Sequence, residues 1–305
     1  MKKVLITGVK GFLGSNIANH FAAKGYETYG IGHNKVFISE EKKMNALDYW
    51  KESDITVEAI KNIGQLFDVI IHCGSGSSVG FSNENPYDDF KKTVVGTLEV
   101  LEYMRLYNPS AQLIYPSSPA VQGEYLDMPI KEDFIGKPIS HYGFHKKIAE
   151  ELCLFYSEKH RITTKIIRLF SVYGIGLQKQ LLWDACKKFL SGQSMIEFWG
   201  SGNETRDFIH IDDVLSLIDI TMQMNNDFII LNGGGGKRHT ILEVVFAIKE
   251  LIGSSSSFRF NNKINTDNPS YYWADISKAT EQGWMPKKNF NNGLKEYTEW
   301  VKVII

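Results

Sequence analysis

The sequence predicts an α/β protein built on a doubly wound parallel sheet, with a smaller α/β lobe at the C-terminal end. Three observations carry this. Through the first half of the chain, short apolar runs alternate with segments of helical apolar spacing, the order that βαβ crossovers produce. The first apolar run ends in a glycine loop that opens a helix. After about residue 170 the elements shorten and glycine-rich turns punctuate them at 174–176, 200–202 and 233–236.

Taken in order, residues 4–6 are an apolar run leading into Thr7-Gly8, and residues 12–24 repeat apolar side chains at helical spacing. Residues 27–31, Val69–His72, 113–115 and 165–169 read as further strands, each short enough for a parallel strand covered on both faces. Helical stretches near 87–107 and 142–159 lie between them, and 212–224 reads as one more helix of the same layer. These elements place a doubly wound sheet domain of Rossmann type at 1–170, to which 208–232 returns, and a smaller lobe at 171–305. The serine run at 254–257 reads as a surface loop.

Composition narrows the function. With 43% hydrophobic and 23% charged residues, 305 residues are enough for a substantial core. A net charge of −1 without a long basic run gives no reason to expect nucleic acid or an anionic membrane as partner. Cys73, Cys153 and Cys186 are odd in number and far apart, which argues against a disulfide framework or a zinc site. No apolar run is long enough to span a bilayer, so the expected compartment is the cytoplasm.

Three segments carry chemistry. The loop Thr7-Gly8-Val9-Lys10-Gly11-Phe12-Leu13-Gly14 follows a strand and opens a helix, where glycine lets the backbone approach a pyrophosphate and the helix start offers free N–H groups. Its spacing is GxxGxxG rather than GxGxxG, and the bland alternative is a tight strand-to-helix turn. Tyr142 and Lys146 are four residues apart on a predicted helix, so phenol and ammonium share a face; a neighbouring cation favours the phenolate and makes Tyr142 a better base. Ser117 and Ser118 follow a predicted strand, at the carboxyl end where ligands of parallel sheets bind. The context of the glycine loop favours the cofactor reading, whereas the Tyr142–Lys146 spacing is weak alone; the order and context of the three segments reinforce one another.

With these segments in place, the chain resembles the extended short-chain dehydrogenases/reductases, in the group called the NAD-dependent epimerase/dehydratase family. Further matching pieces are Asp68-Val69-Ile70-Ile71-His72, Arg168-Leu169-Phe170-Ser171-Val172-Tyr173-Gly174, the stretch from Gly200 to Val214 containing Arg206-Asp207-Phe208, and Gly283-Trp284-Met285-Pro286. The resemblance implies an enzyme acting on a nucleotide-diphosphate sugar. In that reading Ser118 bonds the reacting sugar oxygen, Tyr142 passes its proton, and Lys146 holds the nicotinamide ribose. Gly8, Gly11, Phe12, Leu13 and Gly14 shape the pyrophosphate site, Asp54 and Ile55 meet adenine, and Arg206 grips the substrate's phosphates. Ser78 and Ser171 join the substrate side. The helices near 87–107 and 142–159 resemble the pair through which relatives form a homodimer.

Departures from the family pattern sharpen the expectation. The end of the second strand, Gly32-His33-Asn34-Lys35, carries no acid for a ribose 2′-hydroxyl, and Lys10 is a base inside the glycine loop. The expectation is therefore that Lys10, with His33, Asn34 or Lys35, receives a 2′-phosphate, so that NADP(H) is favoured over NAD. Pro119 and Ala120 follow Ser118 where dehydratases and decarboxylases of the family carry acids, which argues against those activities. The favoured activity is then an NADPH-dependent 4-ketoreductase of a nucleotide-linked 4-keto sugar. The alternatives are a 4-epimerase with tightly bound NAD and a non-catalytic NADP-binding regulatory or scaffold protein. Ser171 and Thr93 stand where relatives often have asparagine, and Gln122 where tyrosine is common.

Other patterns are weaker. Gly76-Ser77-Ser78-Val79-Gly80 matches GxSxG, but Ser78 lies beyond the strand end a nucleophile elbow requires. His141 and His145 have no third ligand at metal spacing. Tyr271, Tyr272 and Trp273 are either core of the lobe or flank a nucleotide base.

Overall fold

The computed structural model describes residues 1–33, 46–76, 78–123, 127–263, 267 and 269–305. Seven parallel strands form the main sheet: β1 (Lys3–Thr7), β2 (Glu27–Gly32), β3 (Tyr49–Glu52), β4 (Val69–His72), β5 (Gln112–Ser117), β6 (Thr163–Leu169) and β10 (Phe228–Gly233). Their spatial order is β10-β6-β5-β4-β1-β2-β3. The chain thus runs outward from β1 in one direction, returns to β4 beside β1, and runs outward in the other. The crevice between the carboxyl ends of β1 and β4 is the switch point where ligands of such sheets bind.

Successive residues of β1 serve opposite faces, as the two-residue period requires. Val4 and Ile6 join one core with Ile17 and Phe21 of helix Phe12–Ala23 and Val214 and Ile218 of helix Ile211–Gln223. Leu5 joins the other with Leu101 and Met104 of helix Gly96–Tyr107 and Ala149 and Cys153 of helix His141–His160. All three strand residues are fully buried, each worth about 1.5–3 kcal/mol. This two-sided burial is why the parallel strands read as unbroken apolar runs.

The helical stretch expected near 87–107 is a continuous run with a widened turn. Helix Pro86–Phe90 passes through a π-helical turn, Lys91–Val95, into Gly96–Tyr107. That turn presents the Thr93 hydroxyl to the Gly76 N–H at 2.9 Å, fixing the loop after β4.

The chain leaves the sheet after β6. It then forms β7 (Ser171–Tyr173), β8 (Met195–Phe198), β9 (Thr205–His210), β11 (Arg238–Thr240) and β12 (Ser257–Phe260), paired as a three-stranded sheet β11-β9-β7 and a two-stranded sheet β12-β8. Helices Gln180–Leu190, Ile241–Ile252 and Phe290–Ile304 pack a separate core around Cys186, Phe189, Val245, Ile248 and Tyr297. Helix Ile241–Ile252 starts at a reciprocal Thr240/Glu243 cap and stops at Gly253, φ +75°. Among the described residues no helix is long and apolar enough to cross a membrane.

Candidate active site

The switch-point crevice opens into a cleft of about 1010 Å³, lined by the glycine loop on one wall and by the lobe on the other. Gly8 has φ +62°, and a Cβ there would stand 2.7 Å from the Gly74 Cα; at Gly14 it would stand 2.5 Å from the Gly8 carbonyl oxygen. At Gly8 and Gly74 the two loops therefore touch main chain to main chain. Helix Phe12–Ala23 starts at Gly11 with no side-chain cap and no acid in its first turn, leaving its positive end to the cleft. These features fit a dinucleotide pyrophosphate. Behind them, Thr7 Oγ1 lies 2.7 Å from His72 Nδ1 and accepts from the Gly74 N–H at 3.0 Å, joining the ends of β1 and β4. Burial, and secondarily the Lys146 charge, pushes the His72 pKa down to about 3.

Just after β2, His33 lines the cleft, with Nε2 2.7 Å from Asp54 Oδ1. Ile55 reaches the loop as well, its Cδ1 occupying the space a Cβ on Gly74 would need. Lys10 is placed differently from the expectation. Its ammonium stands 4.4 Å from the centre of the Trp50 ring, beside a separate small pocket bounded by Val9, Leu47 and Asp48, and it is not among the residues lining the cleft. The geometry thus gives no support to a 2′-phosphate contact from Lys10. Asn34, Lys35 and Ser77 lie outside the described residues.

Ser118, Tyr142 and Lys146 all line the cleft. Ser118 follows β5 and its Oγ accepts from the Ala120 N–H at 3.2 Å, at the start of the short turn Pro119–Gln122. Helix His141–His160 begins on a Ser140 cap and presses on that turn so closely that a Cβ on Gly143 would lie 2.3 Å from the Ala120 carbonyl oxygen. Glycine after Tyr142 is what lets Tyr142 and Ser118 come together. Withdrawal from water raises the Tyr142 pKa to about 12, a hydrogen bond with Ser118 lowers it, and the Asp89 charge adds to the rise. Lys146 donates to Ser75 Oγ at 2.7 Å and to the Pro116 carbonyl at 2.9 Å, and burial brings its pKa down to about 8.

His145, between these residues in sequence, turns away from the cleft and pairs with the buried Asp89 at 2.6 Å. Among the described residues no group of three His, Cys, Asp or Glu could hold a metal. Ser78 lines the cleft and caps helix Val79–Glu84 through the Phe81 N–H at 3.3 Å, which is no nucleophile-elbow geometry.

On the facing wall lie Ser171 and Arg206. Arg206 Nη1 donates to the carbonyls of Thr205 at 2.7 Å and Pro269 at 3.0 Å, and the guanidinium is 5.7 Å from the Tyr272 ring centre. Burial lowers the Arg206 pKa. Next to it Asp207 is fully buried and accepts from Gly235 (2.6 Å), Gly236 (3.0 Å) and Ala274 (3.0 Å). It thereby ties β9 to the turn after β10 and to the segment bearing Tyr272. Desolvation exceeds those bonds and raises its pKa to about 6.

The aromatic triplet divides between the two readings. Tyr272 packs on Phe170 and lines the cleft, its phenol hydrogen-bonded to Ser118, whereas Trp273 is buried beneath Arg238. Tyr272 is thus a site residue that sequence alone left open. Lys179, Trp199 and Lys263 also line the cleft without having been singled out by any sequence signal.

The model of the NAD dependent epimerase/dehydratase family matches residues 4–232. The chain belongs to this family. It is an enzyme of the extended short-chain dehydrogenase/reductase type. Among curated proteins it is 27% identical to the UDP-glucuronate 4-epimerase of Thermodesulfobacterium geofontis, over 98% of this chain and 95% of that one. The solved UDP-glucose 4-epimerase of Thermotoga maritima, determined with UDP-glucose, superposes with a TM-score of 0.91 at 24% identity over 99% of both chains. The UDP-glucuronic acid 4-epimerase of Bacillus cereus, in complex with UDP-glucuronic acid and NAD, superposes with a TM-score of 0.85 at 25% identity, covering 99% of this chain and 100% of that one.

Proposed function

We propose that the protein is a UDP-sugar 4-epimerase that keeps NAD bound. The observation that carries this is the grouping of Ser118, Tyr142 and Lys146 on the cleft, with Pro119 and Ala120 in place of a second base beside Ser118. Such a site moves a proton at the sugar oxygen and provides no base for an adjacent carbon. The ketoreductase reading rested on the missing acid after the second strand and on Lys10 reaching a 2′-phosphate. Lys10 stands over Trp50, and the solved B. cereus relative holds NAD, so NAD is the better assignment.

Bound NAD supplies the hydride acceptor and donor. Tyr142 takes the proton of the 4-hydroxyl as the C4 hydrogen leaves, and Ser118 holds the same oxygen. With a pKa near 12 without cofactor, the Tyr142 phenol is almost entirely protonated at neutral pH. The hydrogen bond with Ser118 favours its ionisation, and Lys146, one helical turn on, keeps its charge below about pH 8. Arg206 would hold the diphosphate while the 4-keto sugar turns over, so that the hydride carried by the nicotinamide would return to the opposite face of C4 and Tyr142 would give its proton back to the C4 oxygen. Exposed Tyr87, Phe144 and Phe155 on the two long helices support assembly as a homodimer through this face, which light scattering in solution tests.

The deciding experiment incubates the purified protein with UDP-glucose or UDP-glucuronate and no added cofactor, follows C4 inversion by NMR, and assays the nicotinamide released on denaturation. Retained NAD with inversion supports the proposal. Dependence on exchangeable NADPH, with reduction of a 4-keto sugar and no inversion, would replace it with the ketoreductase.

A further inference from the structure

Burial lowers the pKa of three lysines among the described residues, and their surroundings differ. Lys165 donates to the carbonyls of Thr221, Met222 and Met224 at 2.9, 3.3 and 2.6 Å, which occupies all three ammonium hydrogens at the end of helix Ile211–Gln223. Lys146 has Ser75 and the Pro116 carbonyl. Lys179 is partly buried and lines the cleft with Ser171, Tyr142 and Arg206, yet no acceptor or carboxylate among the described residues bonds its ammonium.

A cation withdrawn from water without a partner costs free energy, and folded proteins pair such groups. The backbone fixes Lys179 there. It adopts an extended conformation, φ −157°, directly before Gln180 at φ +68°, a left-handed value that side chains other than glycine rarely take. Strain of this kind persists where surrounding packing enforces it, here through Leu182 and Cys186 of the following helix in the lobe core.

We propose that Lys179 is a second anion-binding residue of the substrate site, distinct from Arg206, and that its partner is a phosphate or carboxylate oxygen of the bound nucleotide sugar. This rests on reading the cleft as a nucleotide-sugar site. A sugar that carries its own acid group presents such an oxygen beyond the diphosphate, so the proposal bears directly on substrate class.

Lys179→Met, made in the full chain, tests it in two ways. Without ligand the variant should melt at or above the wild-type temperature, because an uncompensated cation is removed, whereas Lys165→Met should melt lower. A clear fall for Lys179→Met would mean that its partner is within the protein, and would overturn the proposal. In calorimetric titrations with UDP, UDP-glucose and UDP-glucuronate, loss of a charge-assisted hydrogen bond should weaken binding about tenfold or more. Equal weakening of all three identifies the diphosphate as partner, and weakening of UDP-glucuronate alone identifies the sugar carboxylate; either upholds the proposal. Unchanged affinity for all three would overturn it. Wild-type protein that binds these ligands without turning them over would sink the epimerase reading and leave this test intact.

Discussion

The cleft wall that carries the glycine loop is built from main chain, whereas the facing wall is built from side chains. On the first, Gly8 and Gly74 bring the loops after β1 and β4 into contact, and Gly14 packs on Gly8, at distances no Cβ could tolerate. On the second, Arg206 is held by two carbonyls and Asp207 by three N–H groups drawn from segments about 28 to 67 residues away. The difference teaches what each wall can vary. Main-chain contact serves any pyrophosphate and admits almost no substitution, while a side-chain wall can be re-tuned for a new sugar one residue at a time.

The largest expected effect breaks the first wall. Gly14→Val places a branched side chain against the Gly8 carbonyl and the Val9 Cα, both main chain, so the loop must move. Nearly all retained nicotinamide should be lost from a protein whose circular dichroism is unchanged; normal cofactor content would show that the loop is not the cradle. Tyr142→Phe acts where the walls meet. Turnover should fall about 10³-fold, roughly 4 kcal/mol, with cofactor and nucleotide-sugar binding intact. Full activity would end the proton-transfer scheme.

Acid should act on the two walls with opposite sign. Folded His72 takes a proton only near pH 3, an unfolded histidine near 6.5, so the unfolded chain binds more protons between these values. Stability present at pH 7 is then lost as pH falls through that window, by up to about 5 kcal/mol. Asp207, raised to about 6 from 3.8, partly offsets this, because protonating it relieves a buried charge. Denaturant midpoints measured from pH 7 to 4 should therefore slope less in His72→Gln than in the wild type, and parallel slopes would refute the assignment.

Smaller effects separate the walls. Asp207→Asn removes an acceptor facing three N–H groups and should cost about 1–3 kcal/mol. The KM for nucleotide sugar should rise while retained cofactor stays constant; loss of cofactor as well would show that the two walls are not independent. Smallest of all, Lys10→Glu should leave the ratio of NADPH to NADH affinity nearly unchanged, since its ammonium lies over Trp50. A large shift toward NADH would restore the 2′-phosphate reading.

Much of the first wall was legible in sequence because its signals are local. Thr7-Gly8, the glycine spacing and the Tyr142–Lys146 interval each state a backbone requirement or a helical face within a few residues. The edge strand β3 was not legible, since its half-exposed Tyr49-Trp50-Lys51-Glu52 lacks the unbroken apolar run of the central strands. Tyr272 stayed ambiguous because its neighbour Trp273 is equally aromatic, and only packing decides which ring faces Phe170 and the cleft. The sequence did not show the contact that Lys10 makes with Trp50, for a related reason. Its position in the loop was readable, but the direction of a long flexible side chain depends on the ring that receives it.

The sequence by itself determined the family, the parallel sheet, the glycine loop and the order of serine, tyrosine and lysine along the chain, because periodicity and short-range spacing encode them. Only the tertiary structure decided which side chains meet across the cleft. Lys179, Arg206 and Tyr272 come from segments joined by no local pattern, and their burial and partners exist only once the lobe packs against the sheet. A lysine's charge is written in its letter; whether that charge is satisfied is written in the fold.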